Sequence, residues 1–290
     1  MNEAQLVARI REASRPMAPV PSGESPNLKP LPGVRAVVFD LYGTLFLSGA
    51  GAESGVTKES LQTSFAAVGL GPAPRGSDPA ERYREVIHRH HAARRQEGVA
   101  YPEVDVREVW AEVLGEWGIA ATREELEQLV VEVDCRCHPS WPAPGMPQLL
   151  ATLRDLGWPL GILSNAQFHT PLLFPALTGR TVAEWGFQEE LVSYSWTQRE
   201  AKPSRRLFLQ LADAFEDHHG ILTHEVAFVG NDLRNDIAPA LEVGFRAVLF
   251  AGDARSLRWR PDDASLTGVL PDRVVTDLGQ LPALLLPISR

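Results

Sequence analysis

Four short groups of polar residues in this 290-residue chain, three of them directly after apolar runs, carry side chains that could do chemistry together. The first run ends Val37-Val38-Phe39-Asp40-Leu41-Tyr42-Gly43-Thr44-Leu45. An apolar strand that delivers a carboxylate onto a Gly-containing turn sets Asp40 at the mouth of a sheet, with backbone N–H groups free to meet an anion. Such an Asp can act as a nucleophile, and an Asp at a strand end also serves as a turn former or helix cap. The second run ends Ile162-Leu163-Ser164-Asn165. Its hydroxyl and amide can hydrogen-bond an oxyanion without adding charge, although Ser-Asn is also an ordinary turn.

Ala201-Lys202-Pro203 precedes a helical pattern, and Pro203 suits the first turn of that helix. An ammonium fixed there could neutralise an anionic substrate or an aspartyl nucleophile; the plain alternative is a solvent lysine. The last group, Val229-Gly230-Asn231-Asp232-Leu233-Arg234-Asn235-Asp236, holds two carboxylates four residues apart with amides around them. Hard oxygen ligands gathered on one loop suit Mg²⁺. Asx turns capping the next helix are the alternative.

Bringing these groups together requires a fold that points several strand ends at one edge. Short apolar runs of strand character fall at 34–39, 159–163, 191–194, 226–229, 246–250 and 273–276, with helical patterns around 146–156, 203–217 and 234–243. This alternation predicts an α/β, doubly wound, Rossmann-like parallel sheet with its ligand site at the carboxyl ends of the strands. Between Leu45 and Pro144 the patterns are helical, at 58–68, 79–97, 104–117 and 122–137, with no convincing strand. The predicted organisation is a core of 34–46 and 145–290 and a smaller all-helical cap of 47–144, hinged near 46–50 and 141–146. Residues 1–33 read as a short amphipathic helix over 3–13 and then a proline-rich linker or surface arm without regular structure.

Composition narrows the partners. The chain carries 28 Lys+Arg against 37 Asp+Glu, a net charge of −9, with no dense basic block, which argues against nucleic acid as a partner. No apolar run approaches the ~20 residues that span a bilayer, and the N-terminus lacks an uninterrupted apolar segment, so the expectation is a soluble cytoplasmic protein without a membrane partner. Cys135 and Cys137 are too few for a disulfide framework, which fits a reducing compartment. His88, His90 and His91 lie among Arg and Glu and read as a solvated helix face rather than a zinc site. Trp110 and Trp117 share a helical stripe and read as cap core.

In this order, DLYGT, SN, KP and GNDLRND resemble the four motifs of the haloacid dehalogenase-like hydrolase superfamily, and the helical insert after the first motif resembles that family's cap. The resemblance spans Val34 to the C-terminus. It implies that Asp40 is a nucleophile forming a covalent aspartyl intermediate, that Thr44 and Ser164 bind the transferred group, and that Lys202 stabilises charge. Tyr42, Gly43 and Asn165 would contact a small anionic substrate. Mg²⁺ would be held by Asp40, Tyr42, Asp232, Asp236 and Asn231, the last standing where many members have the first acid of the motif. The reading leaves room for a homodimer.

Phosphatases of the family usually carry a second Asp two residues after the nucleophile as general acid and base, and Tyr42 stands there instead. A phenol of pKa ~10 is only about one part in a thousand ionised at neutral pH. Losing a general acid–base group typically forfeits ~10²–10⁴ in rate. Asp-x-Tyr-Gly-Thr is similar to the first motif of the family's 2-haloacid dehalogenases, where halide leaves without a proton. Those enzymes work without metal and carry a Ser-x-Asn type of fourth motif, whereas Gly230 to Asp236 resembles the metal-binding form. A carboxylate pair beside a nucleophilic carboxylate would suffer like-charge repulsion without a cation. The leading expectation is therefore Mg²⁺-dependent hydrolysis of a small phosphorylated metabolite. Carbon–halogen hydrolysis is the runner-up, with Arg75, Arg82 or Arg84 as halide-binding cap residues by position. A degenerate member that binds a phosphorylated ligand without turnover is the third reading, motivated by Tyr42.

Overall fold

The structure is a computed structural model that describes residues 2–49 and 56–286. Among the described residues, eight strands follow in chain order: β1 (Ala36–Phe39), β2 (Phe46–Ser48), β3 (Ser140–Pro142), β4 (Leu160–Ser164), β5 (Phe187–Tyr194), β6 (Val226–Gly230), β7 (Arg246–Phe250) and β8 (Arg273–Val275). Six of them form one parallel sheet in the order β5-β4-β1-β6-β7-β8. Because side chains alternate across a strand, Val37 and Phe39 enter one buried layer while Ala36 and Val38 enter the other. Both faces are covered by helices, which is why these strands read as continuous apolar runs. Leu149, Leu150 and Leu153 of the helix Met146–Asp155 pack on the first face. Leu207, Phe208, Leu211 and Phe215 of the helix Arg205–His219 pack on the second.

From β1 the chain builds β4 and β5 on one side and then crosses to β6, β7 and β8 on the other. The carboxyl end of β1 is thus the switch point, where a crevice opens in sheets of this class. Asp40 is the residue that follows β1.

The insert after β1 folds around its own core. Its helices Lys58–Ala67, Pro79–Gln96, Val106–Glu116 and Arg123–Cys137 start at Thr57, Asp78, Asp105 and Thr122, each of which caps backbone N–H groups with its side chain. Trp110 is buried, stacked on Tyr83 at 4.6 Å between ring centroids and edge-on to Phe65 at 5.6 Å; Trp117 meets Phe65 at 6.3 Å. One expectation needs correction. The insert is entered and left through strands, β2 and β3, which pair antiparallel with Leu47 opposite Trp141. Three residues each are too few to show a period-2 pattern.

The N-terminal segment is also more engaged than a surface arm. The helix Glu3–Ala13 buries Leu6 and Ile10 in the core layer. Its Arg9 forms a two-pronged ion pair with the buried Glu132 of the cap helix Arg123–Cys137, with Nη2 to Oε2 at 2.8 Å. Its Arg11 donates to the carbonyls of Ala176 and Pro175 on the core, each at 2.9 Å. Beyond it, Asn27 bridges to Val274 of β8, and Glu24 accepts from Trp259 Nε1 at 2.7 Å. No described helix is long and apolar enough to cross a membrane.

Candidate active site

The ladder continues one residue past β1, with Asp40 N–H donating to Val229 O at 2.9 Å, and this presents the Asp40 carboxyl at the sheet edge. Ser164, the last residue of β4, donates its hydroxyl to Asp40 Oδ1 at 2.9 Å. Lys202 Nζ donates to the same oxygen at 2.7 Å and to Asp236 Oδ1 at 2.6 Å. Asn165 explains how a lysine from a distant loop is aimed so closely. Its Oδ1 accepts from Lys202 N–H at 2.7 Å and its Nδ2 donates to Lys202 O at 3.2 Å, clasping the loop to the end of β4.

Three of these groups are buried charges that settle one another. Burial works to lower the Lys202 pKa, and the carboxylates of Asp236 and Asp40 more than offset it, holding the ammonium above its ordinary value. Burial and the neighbouring Asp40 charge push Asp236 upward, against the pull of Lys202. Asp236 Oδ2 is also satisfied, accepting from the N–H groups of Asn231 and Asp232 at 3.0 Å each. Gly230 makes this approach possible, since a Cβ there would lie 2.5 Å from the Asp236 side chain. Gly43 is required twice over: its φ is +86°, and a Cβ would lie 2.6 Å from Asn231 Nδ2 and Ser256 Cβ.

The remaining predicted residues occupy supporting positions. Thr44 is fully buried and donates to Asn231 Oδ1 at 3.3 Å, while Asn231 Nδ2 donates to Ser256 O at 2.5 Å. Asp232 is held by Arg260, with Nη2 to Oδ2 at 2.6 Å and Nε to Oδ1 at 3.2 Å, and it caps the N–H groups of Arg234 and Asn235. The Tyr42 hydroxyl pairs with Thr170 Oγ1 at 3.0 Å. Burial raises its pKa well above the ordinary phenol value, and the charge of Asp134 adds to this.

A cavity of about 230 Å³ opens on Asp40, with Tyr42, Lys202, Asn231, Asp236 and Arg258 among its walls. A second cavity, of about 290 Å³, lies between cap and core; Tyr42, Ser48 and Asn165 line both, so the two meet at the site. The cap arginines expected from position lie elsewhere. Arg82 pairs with Glu85 and Glu116, Arg84 donates to Val56 O, and neither they nor Arg75 lines either cavity. Arg258, from the segment after β7, lines the Asp40 cavity instead, and Arg260 of the same segment pairs with Asp232. Sequence reasoning missed them because their only signal was three arginines in Arg255-Ser256-Leu257-Arg258-Trp259-Arg260 with no motif around them.

The donors left for a metal are few. Both oxygens of Asp236 and both of Asp232 are taken by N–H and cationic donors within the chain. Among the described residues, Asp40 Oδ2 is the oxygen of these three acids that no donor meets, and Asn231 offers only a neutral amide oxygen already accepting from Thr44. Mg²⁺ favours several hard oxygens, carboxylates foremost, in an octahedron. Among the described residues no group of three His, Cys, Asp or Glu could hold a metal ion. The expected ligand set of Asp40, Tyr42, Asp232, Asp236 and Asn231 therefore does not fit Mg²⁺ as the side chains stand. The repulsion that argued for a cation is relieved by Lys202 and Arg260.

Residues 34–244 match the family described as haloacid dehalogenase-like hydrolase. A search of curated proteins gave no match. Among solved structures, the chain is similar to a 2-haloacid dehalogenase from Pseudomonas syringae pv. Tomato DC3000, at 22% identity over 87% of this chain and 97% of that one, with a TM-score of 0.55. CbbY from Rhodobacter sphaeroides in complex with phosphate aligns at 17% identity over 87% and 99% of the two chains, with a TM-score of 0.49. An L-2-haloacid dehalogenase from Xanthobacter autotrophicus with chloropropionic acid covalently bound aligns at 23% identity over 87% and 98%, with a TM-score of 0.47.

Proposed function

The chain belongs to the haloacid dehalogenase-like hydrolases, and from that membership we propose that it uses Asp40 to displace halide from a small 2-haloacid without a metal. The observation that carries this reading is the engagement of Asp232 and Asp236 by the protein's own donors, with Lys202 bridging Asp236 to Asp40. Asp40 Oδ1 is held by Ser164 and Lys202, which leaves Oδ2 to attack the carbon bearing the halogen. The C–X bond breaks with its electron pair on the halide, and a leaving group of that kind needs no proton. That suits a site where Tyr42, half-buried and paired to Thr170, replaces the usual acid. The product of this step is an aspartyl ester, which water then hydrolyses. Arg258 on the cavity wall supplies the positive charge that a 2-haloacid carboxylate calls for.

Mg²⁺-dependent hydrolysis of a small phosphorylated metabolite is the second reading. The polar wall of the Asp40 cavity, with Asn165, Asn231, Asn235 and Ser256, favours it because a phosphoryl group offers several oxygens to such donors. One pair of assays separates the two. Chloride release from 2-chloropropionate that persists with chelator and is abolished in Asp40→Asn supports the first. Phosphate release from an aryl phosphate that requires Mg²⁺, with no chloride release, supports the second and overturns the first.

A further inference from the structure

The second cavity holds a cluster that no motif of the family resemblance includes. Asp134 and His138 lie one turn apart at the end of the cap helix Arg123–Cys137, with Nδ1 of His138 3.1 Å from Asp134 Oδ1. From the core, in the segment after β4, His169 brings Nε2 to 3.0 Å from Asp134 Oδ2, across the seam between cap and core. His169 is 4% exposed, and neither ring nitrogen has an aligned hydrogen-bond partner. Glu103 also lines this cavity but is satisfied by Ser195 Oγ at 2.8 Å and Val104 N–H at 2.9 Å. A carboxylate on Nδ1 orients an imidazole and leaves Nε2 as a base, the logic of nucleophile-activating pairs. Tyr42 and Asn165 line both this cavity and the one that opens on Asp40.

We propose that His138, oriented by Asp134, is the general base that activates water to hydrolyse the Asp40 intermediate, with His169 bracing Asp134 from the core. The inference rests on the aspartyl-intermediate reading above and assigns the acid–base role that Tyr42 cannot fill. In the step itself, water oxygen bonds to the Asp40 carbonyl carbon and one water proton passes to His138 Nε2. The tetrahedral adduct then expels the product alkoxide by cleavage of the acyl C–O bond. The alkoxide takes the proton from His138, the regenerated Asp40 carboxyl releases its proton to solvent, and His138 returns neutral. His138 is on the cap, so this base is in place only when the cap sits on the core as seen here.

Rapid mixing with 2-chloropropionate tests this in the full chain. His138→Gln is expected to release one equivalent of chloride in a burst and then turn over about a hundredfold more slowly. kcat falls while kcat/KM, which ends at halide release, stays unchanged, and mass spectrometry finds the ester on the peptide carrying Asp40. Imidazole added to His138→Ala should restore part of the turnover. Wild-type rates in His138→Gln, or equal loss of burst and turnover in a protein that melts normally, would overturn the proposal. If the enzyme instead hydrolyses aryl phosphates, the same variants are read for a burst of aryl alcohol and a trapped aspartyl phosphate. Failure of the haloacid reading is thereby separated from failure of the base.

Discussion

Lys202 and Asp236 form a buried ion pair, 2.6 Å between Nζ and Oδ1, and the same ammonium reaches Asp40 Oδ1 at 2.7 Å. The pair thereby couples the loop after β6 to Asp40, the residue after β1. Replacing Lys202 by Met leaves two carboxylates facing each other out of water, at a cost of about 3–5 kcal/mol for breaking a buried pair from one side. Turnover should fall by about 10²–10³ or more, the usual effect of removing one preorganised electrostatic group. Urea unfolding and steady-state rates measure both, and a Lys202→Met enzyme with wild-type stability would contradict the bridge.

Tyr42 is expected to matter for packing rather than for proton transfer. Tyr42→Phe removes a hydroxyl whose partner is Thr170 Oγ1, so stability should drop by about 1 kcal/mol and kcat should stay within a few-fold of wild type. A loss of a hundredfold or more in kcat would return an acid–base role to the phenol.

Much of this arrangement is legible in the chain, and the reason differs from element to element. β1, β4, β6 and β7 are buried on both faces, so their apolar runs stand out. β5 begins four residues before its apolar half because it is an edge strand whose Glu189 and Glu190 are exposed to solvent. Asp40 and Ser164 are legible as candidates because they stand at the carboxyl ends of β1 and β4, Asp236 because it lies in the acidic segment after β6, and Lys202 because it shortly precedes the helix Arg205–His219, all local features. The chain pattern does not reveal that Arg260 would claim Asp232, or that His169 would meet Asp134. Those are pairings between distant segments, fixed by tertiary packing, and they change what the acidic loop can bind.

The N-terminal helix should hold the cap. Arg9 neutralises Glu132, which is 3% exposed and otherwise reached by Arg136 at 3.1 Å, so Arg9→Ala should cost about 1–3 kcal/mol by leaving a buried charge under-compensated. Because Arg11 ties the same helix to core carbonyls, the loss should appear as faster hydrogen exchange in the cap helix Arg123–Cys137. Unchanged exchange there would show that the helix bears no load between cap and core.

The Asp134–His138 pair also makes stability depend on pH in a stated direction. The hydrogen bond to Asp134 raises the His138 pKa above 6.5 against the effect of burial. Its contribution is therefore complete below about pH 6.5 and is lost as pH rises through the higher folded value. Asp134 shifts downward: burial works to raise it, and His169 and His138 together outweigh that, so its contribution is present above about pH 4 and is lost only in stronger acid. The two windows overlap between about pH 4 and 6.5. The His138 side chain is 35% exposed and Asp134 20%, so solvent screening limits the pair to about 1 kcal/mol, or ~2–4 °C in a chain of this size. Wild type should melt above His138→Gln by that margin near pH 5.5, with the gap closing as pH rises through the higher folded value. The other titrating groups around the pair, His169, Glu103, Tyr42 and Cys135, are common to both proteins and cancel in the difference. A gap that widens with rising pH would mean that His138 is neutral when folded and that Asp134 finds its counter-charge elsewhere.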